Sequence, residues 1–225
     1  MSIGKPFMLA AGLAGALLLA FPAMAQEAAP EPVLSAADSK LLLDVPGQRL
    51  AMPLPDWINA GEVSSGDVRP LVEFSYTVEN GQVRLDVRPK GQTQTDWKTA
   101  FGAHLQEQTS GTLVGFRRSV MAGYGQTCQP NTMAFFQFGQ DSGDELAPLG
   151  FACGAFFDGI EGFAGQGEVA VMSFRKSAKG VAVFYQAWRG PAFDPSQPAS
   201  WPVATKVVEE RSRQLQAEVS LTLAD

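Results

Sequence analysis

The chain has 225 residues, of which 45% are hydrophobic and 18% are charged, so it can bury the core of one globular domain. Acidic side chains (23) outnumber basic ones (17), and adjacent basic residues occur only as pairs such as Arg117 and Arg118. Because binding to a phosphate backbone needs clustered lysine and arginine, this charge distribution argues against a nucleic-acid-binding protein.

The N-terminus has the pattern of a cleavable secretory signal. Lys5 precedes an apolar run over residues 7–21, and Ala23 and Ala25 form an A-x-A cleavage site. The run is shorter than the roughly 20 residues of a membrane-spanning helix, and the helix breaker Pro22 follows it. We therefore predict cleavage near Ala25 and no membrane span in the mature chain.

Cleavage leaves 200 of the 225 residues, with 16 basic and 23 acidic side chains and a net charge of −7. We divide the sequence into a signal peptide (1–25), a flexible leader rich in Pro and Ala (26–37) and a single α+β domain (38–225). The mature protein is expected in the periplasm or outside the cell.

The domain is predicted to begin with strands. "LSAADSKLLLDV" indicates a short helix or a strand entry, and "GQRLAMPLPDW" indicates an early strand that breaks at Pro53. The alternating runs "RPLVEFSYTVEN" and "GQVRLDVRPKG" then meet at Asn80-Gly81. Because both central positions of a type I′ turn need positive φ, this dipeptide predicts a β-hairpin.

The period of the apolar residues then changes. In "QTQTDWKTAFGAHLQEQTSG", Trp97, Phe101, His104 and Leu105 recur near one helical face, which predicts a helix over residues 96–108. His104 would lie on the inner side of this helix.

The second half predicts an antiparallel meander and a final helix. Five segments are predicted strands: "GTLVGFRRSVM", "NTMAFFQFGQ", "LAPLGFACGAFF", "GEVAVMSFRKS" and "GVAVFYQAWRG". In "VATKVVEERSRQLQAEVSLTL", Ala204, Val208, Leu215 and Val219 follow a helical repeat, with Arg211 on the same side. The sum is an α+β fold: an antiparallel sheet of about six or seven strands, flanked by two helices in a layered sandwich.

Cys128 and Cys153 are the only cysteines, and an exported chain favours a structural disulfide between them. A hairpin that turns near Gly143 places Cys153 opposite Met133, so the "CQPN" turn must fold Cys128 back by about five residues. Closing this loop would stabilise the fold by about 3 kcal/mol. A redox-active pair, or a cysteine nucleophile activated by His104, stays open as an alternative.

Motifs for catalysis or metal binding are scarce. One histidine and two cysteines do not make up the usual zinc ligand sets, and "DSGDE" and "FDGIEGF" do not match a calcium-binding loop. We predict no metal and no cofactor. No G-x-S-x-G nucleophile motif occurs, so we assign no catalytic residue, although folding can still bring two carboxylates together.

Aromatic side chains and a cation meet in "FYQAWRGPAF", which makes Tyr185, Trp188, Arg189 and Phe193 a candidate binding patch. On a strand, Tyr185 and Arg189 face one side and Trp188 faces the other. The alternative is that one side is core and the other carries a surface ion pair.

Several short motifs resemble those of a group of uncharacterised exported bacterial proteins. They are "LPDW", "TQTDWKTAF", Cys128, "GFAC" with Cys153, "GE" at residues 167–168, "FRK" and "FYQAWRGPAF". Such proteins are similar in arrangement to the PsbP-like α/β sandwich, a curved antiparallel sheet flanked by helices. The resemblance implies an accessory or binding module and assigns no catalytic residues.

We therefore expect a non-catalytic binding or accessory protein of the bacterial envelope, with an envelope protein or a small ligand as its partner. The alternative is an exported hydrolase that uses carboxylate or Ser chemistry on the sheet face. A redox accessory protein is a third hypothesis.

Cleavage of the predicted signal peptide can be tested by measuring the mass of the exported protein. When the full chain is produced in a bacterium, the periplasmic form is expected to lack residues 1–25, and Ala25→Phe should block cleavage because the site needs small residues. Intact-protein mass spectrometry of the periplasmic fraction measures both. A wild-type mass that includes residues 1–25 would contradict the prediction.

Overall fold

The computed structural model describes residues 33–37, 39–59, 61, 63, 66–107 and 111–224, which contain eleven strands and two α-helices. In chain order these are β1 (Val33–Ala37), β2 (Lys40–Val45), β3 (Gln48–Pro53), β4 (Val72–Glu79), β5 (Gln82–Pro89), β6 (Thr99–Glu107), α1 (Leu113–Gly125), β7 (Met133–Gln137), β8 (Leu149–Cys153), β9 (Gln166–Lys176), β10 (Gly180–Pro191), α2 (Thr205–Glu218) and β11 (Ser220–Leu223). None of the described helices is long and apolar enough to cross a membrane.

The predicted signal peptide and leader residues 26–32 lie outside the described residues. Val33–Ala37, which the leader was predicted to include, form strand β1 instead. This strand pairs with β2, so the segment "LSAADSKLLLDV" is a hairpin rather than a helix.

The strands form two antiparallel sheets. The larger has seven strands in the order β4-β5-β6-β10-β9-β8-β7, and the smaller has four in the order β1-β2-β3-β11. An antiparallel sheet with helices against it agrees with the prediction in outline. The smaller sheet was not predicted, because its last strand directly follows α2 and was read as the end of that helix.

The Asn80-Gly81 hairpin is confirmed. Both residues have positive φ, 51° and 74°, and they join β4 to β5, with Glu79 paired with Gln82. On β5, Val83, Leu85 and Val87 are buried on one face of the sheet. The intervening polar residues therefore lie on the opposite face.

The helix predicted over residues 96–108 is wrong, because this segment contains strand β6 in the middle of the larger sheet. Phe101, Ala103 and Leu105 alternate as buried residues, a period of two rather than 3.6. His104 consequently lies on a strand. Pairing with β5 and β10 on both sides outweighs the weak helical spacing.

The strand predicted from "GTLVGFRRSVM" is also wrong, because helix α1 begins there. Leu113, Phe116, Val120 and Tyr124 recur at helical spacing and pack into one core cluster. The Thr112 side chain caps the helix by accepting a hydrogen bond from Gly115 N at 3.0 Å.

The two faces of the larger sheet are covered differently. One face shares a core with the smaller sheet and α2, where Val208, Arg211 and Leu215 are buried as the helical repeat predicted. The opposite face, here called the α1 face, packs against α1 through side chains of β8, β9 and β10. Strands β4 and β5 on the α1 face lie beyond this packing, and β6 meets α1 through the contact of His104 with Phe116.

The disulfide between Cys128 and Cys153 is formed, with their Cα atoms 5.7 Å apart. Met133 pairs with Cys153 as the hairpin geometry predicted. Cys128 reaches Cys153 because the turn reverses at Asn131, which has a φ of 66°, and Gln129 N donates to Ala155 O at 2.8 Å.

The structural role of the Cys128–Cys153 disulfide can be tested by reducing it. Breaking the disulfide should lower the free energy of unfolding by about 3 kcal/mol, because the unfolded chain regains the freedom of the loop. Urea unfolding with and without a reductant measures the change. The double variant C128A/C153A is the control and should not respond to the reductant, and an unchanged wild-type midpoint would contradict a structural role.

Candidate functional site

The α1 face of the larger sheet carries a cleft of about 830 Å³. Strands β4, β5, β6, β9 and β10 form its floor, α1 forms one wall, and the loops before β6 and between β8 and β9 complete it. Its polar lining comes mainly from β4, β5 and β6, and its apolar lining includes Trp97, Phe116, Val120, Phe156, Ile160 and Phe163.

Strand β5 supplies a row of charged side chains to the cleft. Arg84, Asp86 and Arg88 alternate with the buried apolar residues of the same strand, so all three face the cleft. Charged residues at alternate positions of an interior strand are unusual unless that face is open to solvent or to a ligand.

Asp86 is the centre of a hydrogen-bonded cluster. Its carboxylate accepts hydrogen bonds from the Tyr185 hydroxyl, from Arg84 Nε at 3.1 Å and from Ser75 Oγ at 3.5 Å. Burial raises the pKa of the Tyr185 phenol well above its usual value, and the Asp86 charge raises it further. Tyr185 is therefore a hydrogen-bond donor at neutral pH.

Gly102 makes this contact possible. It lies between Asp86 on β5 and Tyr185 on β10 in the strand register. A Cβ atom at this position would lie 2.0 Å from the Leu85 carbonyl oxygen and 2.9 Å from the Tyr185 hydroxyl. Glycine therefore leaves the space through which Tyr185 crosses β6.

His104 lies beside this cluster, between Arg84 and Val183 in the register. Burial lowers its pKa, and the positive charge of Arg84 lowers it further. His104 is consequently a neutral imidazole at neutral pH. Its ring meets the Phe116 ring edge to face, with the centroids 6.3 Å apart.

Glu168 and Arg189 form a buried ion pair at the other end of the cleft. Arg189 Nη2 and Glu168 Oε2 are 3.4 Å apart, and the guanidinium lies between the Trp97 and Phe163 rings, 3.7 Å from each centroid. Burial raises the pKa of Glu168 to about 7, although Arg189 opposes the shift. Burial also lowers the pKa of Arg189, so both groups are held in a poorly solvated site.

The predicted patch of Tyr185, Trp188, Arg189 and Phe193 is divided between the two faces of the sheet. Tyr185 and Arg189 line the cleft. Trp188 is buried in the core on the opposite face, and Phe193 packs against that same core. The strand alternation was predicted correctly, but the ion pair on the cleft side is buried rather than at the surface.

Several cleft residues were not predicted from sequence, namely Trp97, Arg84, Asp86, Arg88 and Glu168. The alternation of charged and apolar residues along β5 was a usable signal for Arg84, Asp86 and Arg88. Glu168 directly precedes the apolar run "VAVMSF", which places it in a strand that is buried on both faces. Its partner Arg189 follows only from the pairing of β9 with β10.

Neither a protein-family model nor a curated protein sequence matches the chain. The cleft therefore has to be interpreted from its own geometry and charges.

Glu168 should make stability dependent on pH. Because its pKa is about 7 in the folded protein and near 4.5 otherwise, the folded state holds the proton more tightly, and stability falls as the pH rises from about 4.5 to 7. The loss is on the order of 3 kcal/mol, and Glu168→Gln should remove it. His104, with a lowered pKa, acts in the opposite direction in both proteins.

Urea unfolding of the wild type and of Glu168→Gln between pH 5 and pH 8 measures this difference. Glu209→Gln, at an exposed position of α2, is the matched control. A constant difference in stability between the wild type and Glu168→Gln across this range would contradict the raised pKa.

Proposed function

We propose that this chain is a non-catalytic binding protein of the bacterial envelope that holds a small ligand in the cleft on the α1 face. The observation that carries the proposal is a cleft of about 830 Å³ in which polar and charged groups of the sheet converge beside apolar and aromatic walls. This combination is typical of small-molecule sites. An envelope protein that docks through the same cleft is the other partner consistent with an accessory role.

The envelope location is supported by the sequence pattern of residues 1–25 and by the disulfide, which persists in oxidising compartments. We further propose that the chain is an α+β sandwich related to the PsbP-like proteins. An antiparallel sheet that packs with helices is consistent with that relationship.

Binding is favoured over serine hydrolysis because the two serine hydroxyls that line the cleft already form hydrogen bonds with other groups. Ser75 Oγ donates to Asp86, and Ser119 Oγ donates to the Phe116 carbonyl at 2.8 Å. A nucleophilic serine needs a base within hydrogen-bonding distance, and no serine within the described residues bonds to His104.

A carboxylate-dependent hydrolase is the second candidate. It is favoured by Glu168, a buried acid of raised pKa that shares the cleft with Asp86. Both acids are, however, already bound by cations and hydroxyls of the same site. Hydrolysis of aryl glycosides by the wild type, and its loss in both Glu168→Gln and Asp86→Asn, would favour this candidate over binding.

Blocking the cleft tests the proposed function. Gly123 lies on α1 at the edge of the cleft, and a Cβ atom there meets nothing within 4 Å, so Gly123→Phe should place a bulky ring at the α1 side of the cleft and obstruct it without disrupting the fold. Val114→Phe, at an exposed position of the same helix, is the matched control. Native mass spectrometry of protein from the periplasm should detect a bound small molecule in the wild type and Val114→Phe, and none in Gly123→Phe.

Equal occupancy in all three proteins would place the ligand outside the cleft. If no molecule is bound in any of them, the small-ligand function is contradicted. Affinity capture with the same variants would then decide whether an envelope protein uses this surface.

A further inference from the structure

Arg88 is a buried cation that forms no ion pair within the described part of the chain. It is 6% exposed and lines the cleft, and its Nε has no hydrogen-bond partner among the described residues. No described carboxylate oxygen lies within 4.0 Å of its guanidinium. Glu73 lies opposite Arg88 across β4 and β5, but its carboxylate forms its ion pair with Lys90 at 3.2 Å, and Arg88 acts on it only at longer range.

Arg189 is a second buried cation with unused donors. It is 5% exposed, and its Nε and Nη1 have no partner within the described part of the chain. Its one ion pair, to Glu168, uses Nη2 at 3.4 Å, which is longer than a good charge-assisted hydrogen bond. Leaving such donors unpaired in a buried site costs free energy.

The two arginines flank one section of the cleft. Val87 pairs with Phe101, and Ala187 pairs with Ala100, so Arg88 lies in the same row as these two alanines, with Arg189 two residues beyond Ala187. Standard strand spacings then put the Cα atoms of Arg88 and Arg189 about 12 Å apart. Two arginine side chains can meet over this distance, and the small alanine side chains leave room between them.

We infer that Arg88 and Arg189 together bind the carboxylate of a small organic monoanion whose apolar part lies against Trp97 and Phe163. This inference rests on the proposed function and names the class of its ligand. With Glu168 ionised, the local charge of the three groups is +1, which one carboxylate neutralises. The planar guanidinium group matches the geometry of a carboxylate.

Arg84 offers an internal comparison. It lines the same cleft and carries the same charge, but it is exposed and already paired with Asp86 at 3.1 Å. An arginine that is already paired and solvated gains little from a ligand carboxylate. Arg84 is therefore not assigned to the anion site.

The test measures the affinity of phenylacetate by calorimetry and by Trp97 fluorescence, with Trp97→Phe to assign the signal. Phenylacetate should bind saturably, and the neutral analogue phenylacetamide at least about tenfold more weakly. Arg88→Gln and Arg189→Gln should each lower the affinity by about tenfold or more, the cost of one charged hydrogen bond. Arg84→Gln is the matched control and should change it by less than about threefold.

Glu168→Gln should act in the opposite direction and raise the affinity, because it removes the carboxylate that competes for Arg189. A change in this direction is not expected from a merely structural role and does not depend on whether Arg189→Gln folds. Equal binding of phenylacetamide, unchanged affinity in Arg88→Gln, tighter binding of inorganic phosphate, or no binding of phenylacetate would overturn the inference.

These outcomes are distinguishable from failure of the proposed function. A neutral or cationic molecule found in the cleft by mass spectrometry would contradict the anion site but keep the binding function. Absence of any ligand that Gly123→Phe displaces would contradict the binding function itself.

Discussion

One helix cannot cover one face of a seven-stranded sheet, and the cleft follows from this mismatch. Seven strands at about 4.8 Å spacing span roughly 29 Å, whereas an α-helix is about 10–12 Å across. On one face, the smaller sheet and α2 complete the cover. On the α1 face, α1 packs over β9 and β10, and the polar side chains of β4, β5 and β6 line the cleft beside it.

The disulfide links two of the elements that border the cleft. Cys128 follows the end of α1 by three residues, and Cys153 ends β8 just before the loop that carries Phe156 and Phe163. The bond therefore joins the helical wall of the cleft to the loop that contacts Arg189. The cysteines are thus close to the cleft without being among the residues that line it.

Turn residues and the spacing of apolar residues predicted an element correctly where only one type of secondary structure fits them. The Asn80-Gly81 turn specified the β4–β5 hairpin, and the spacing around Gly143 specified the pairing of Met133 with Cys153. Residues 96–108 and the α1 segment were assigned the wrong way round, because each carries apolar residues that fit both periods. Sheet pairing on both sides of β6, and packing of α1 on β9 and β10, decided between them.

The sequence by itself determined the alternation along β4, β5 and β10, the cysteine pairing and the burial of one side of α2, because these depend on neighbours close along the chain or on a single available partner. It also singled out Tyr185 and Arg189, but grouped them with Trp188 on the other face. Only the tertiary structure brought Arg88 on β5 to the same cleft as Glu168 and Arg189. Their proximity depends on the order of β5, β6, β10 and β9 in the sheet, and strand order is set by non-local pairing that no local pattern encodes.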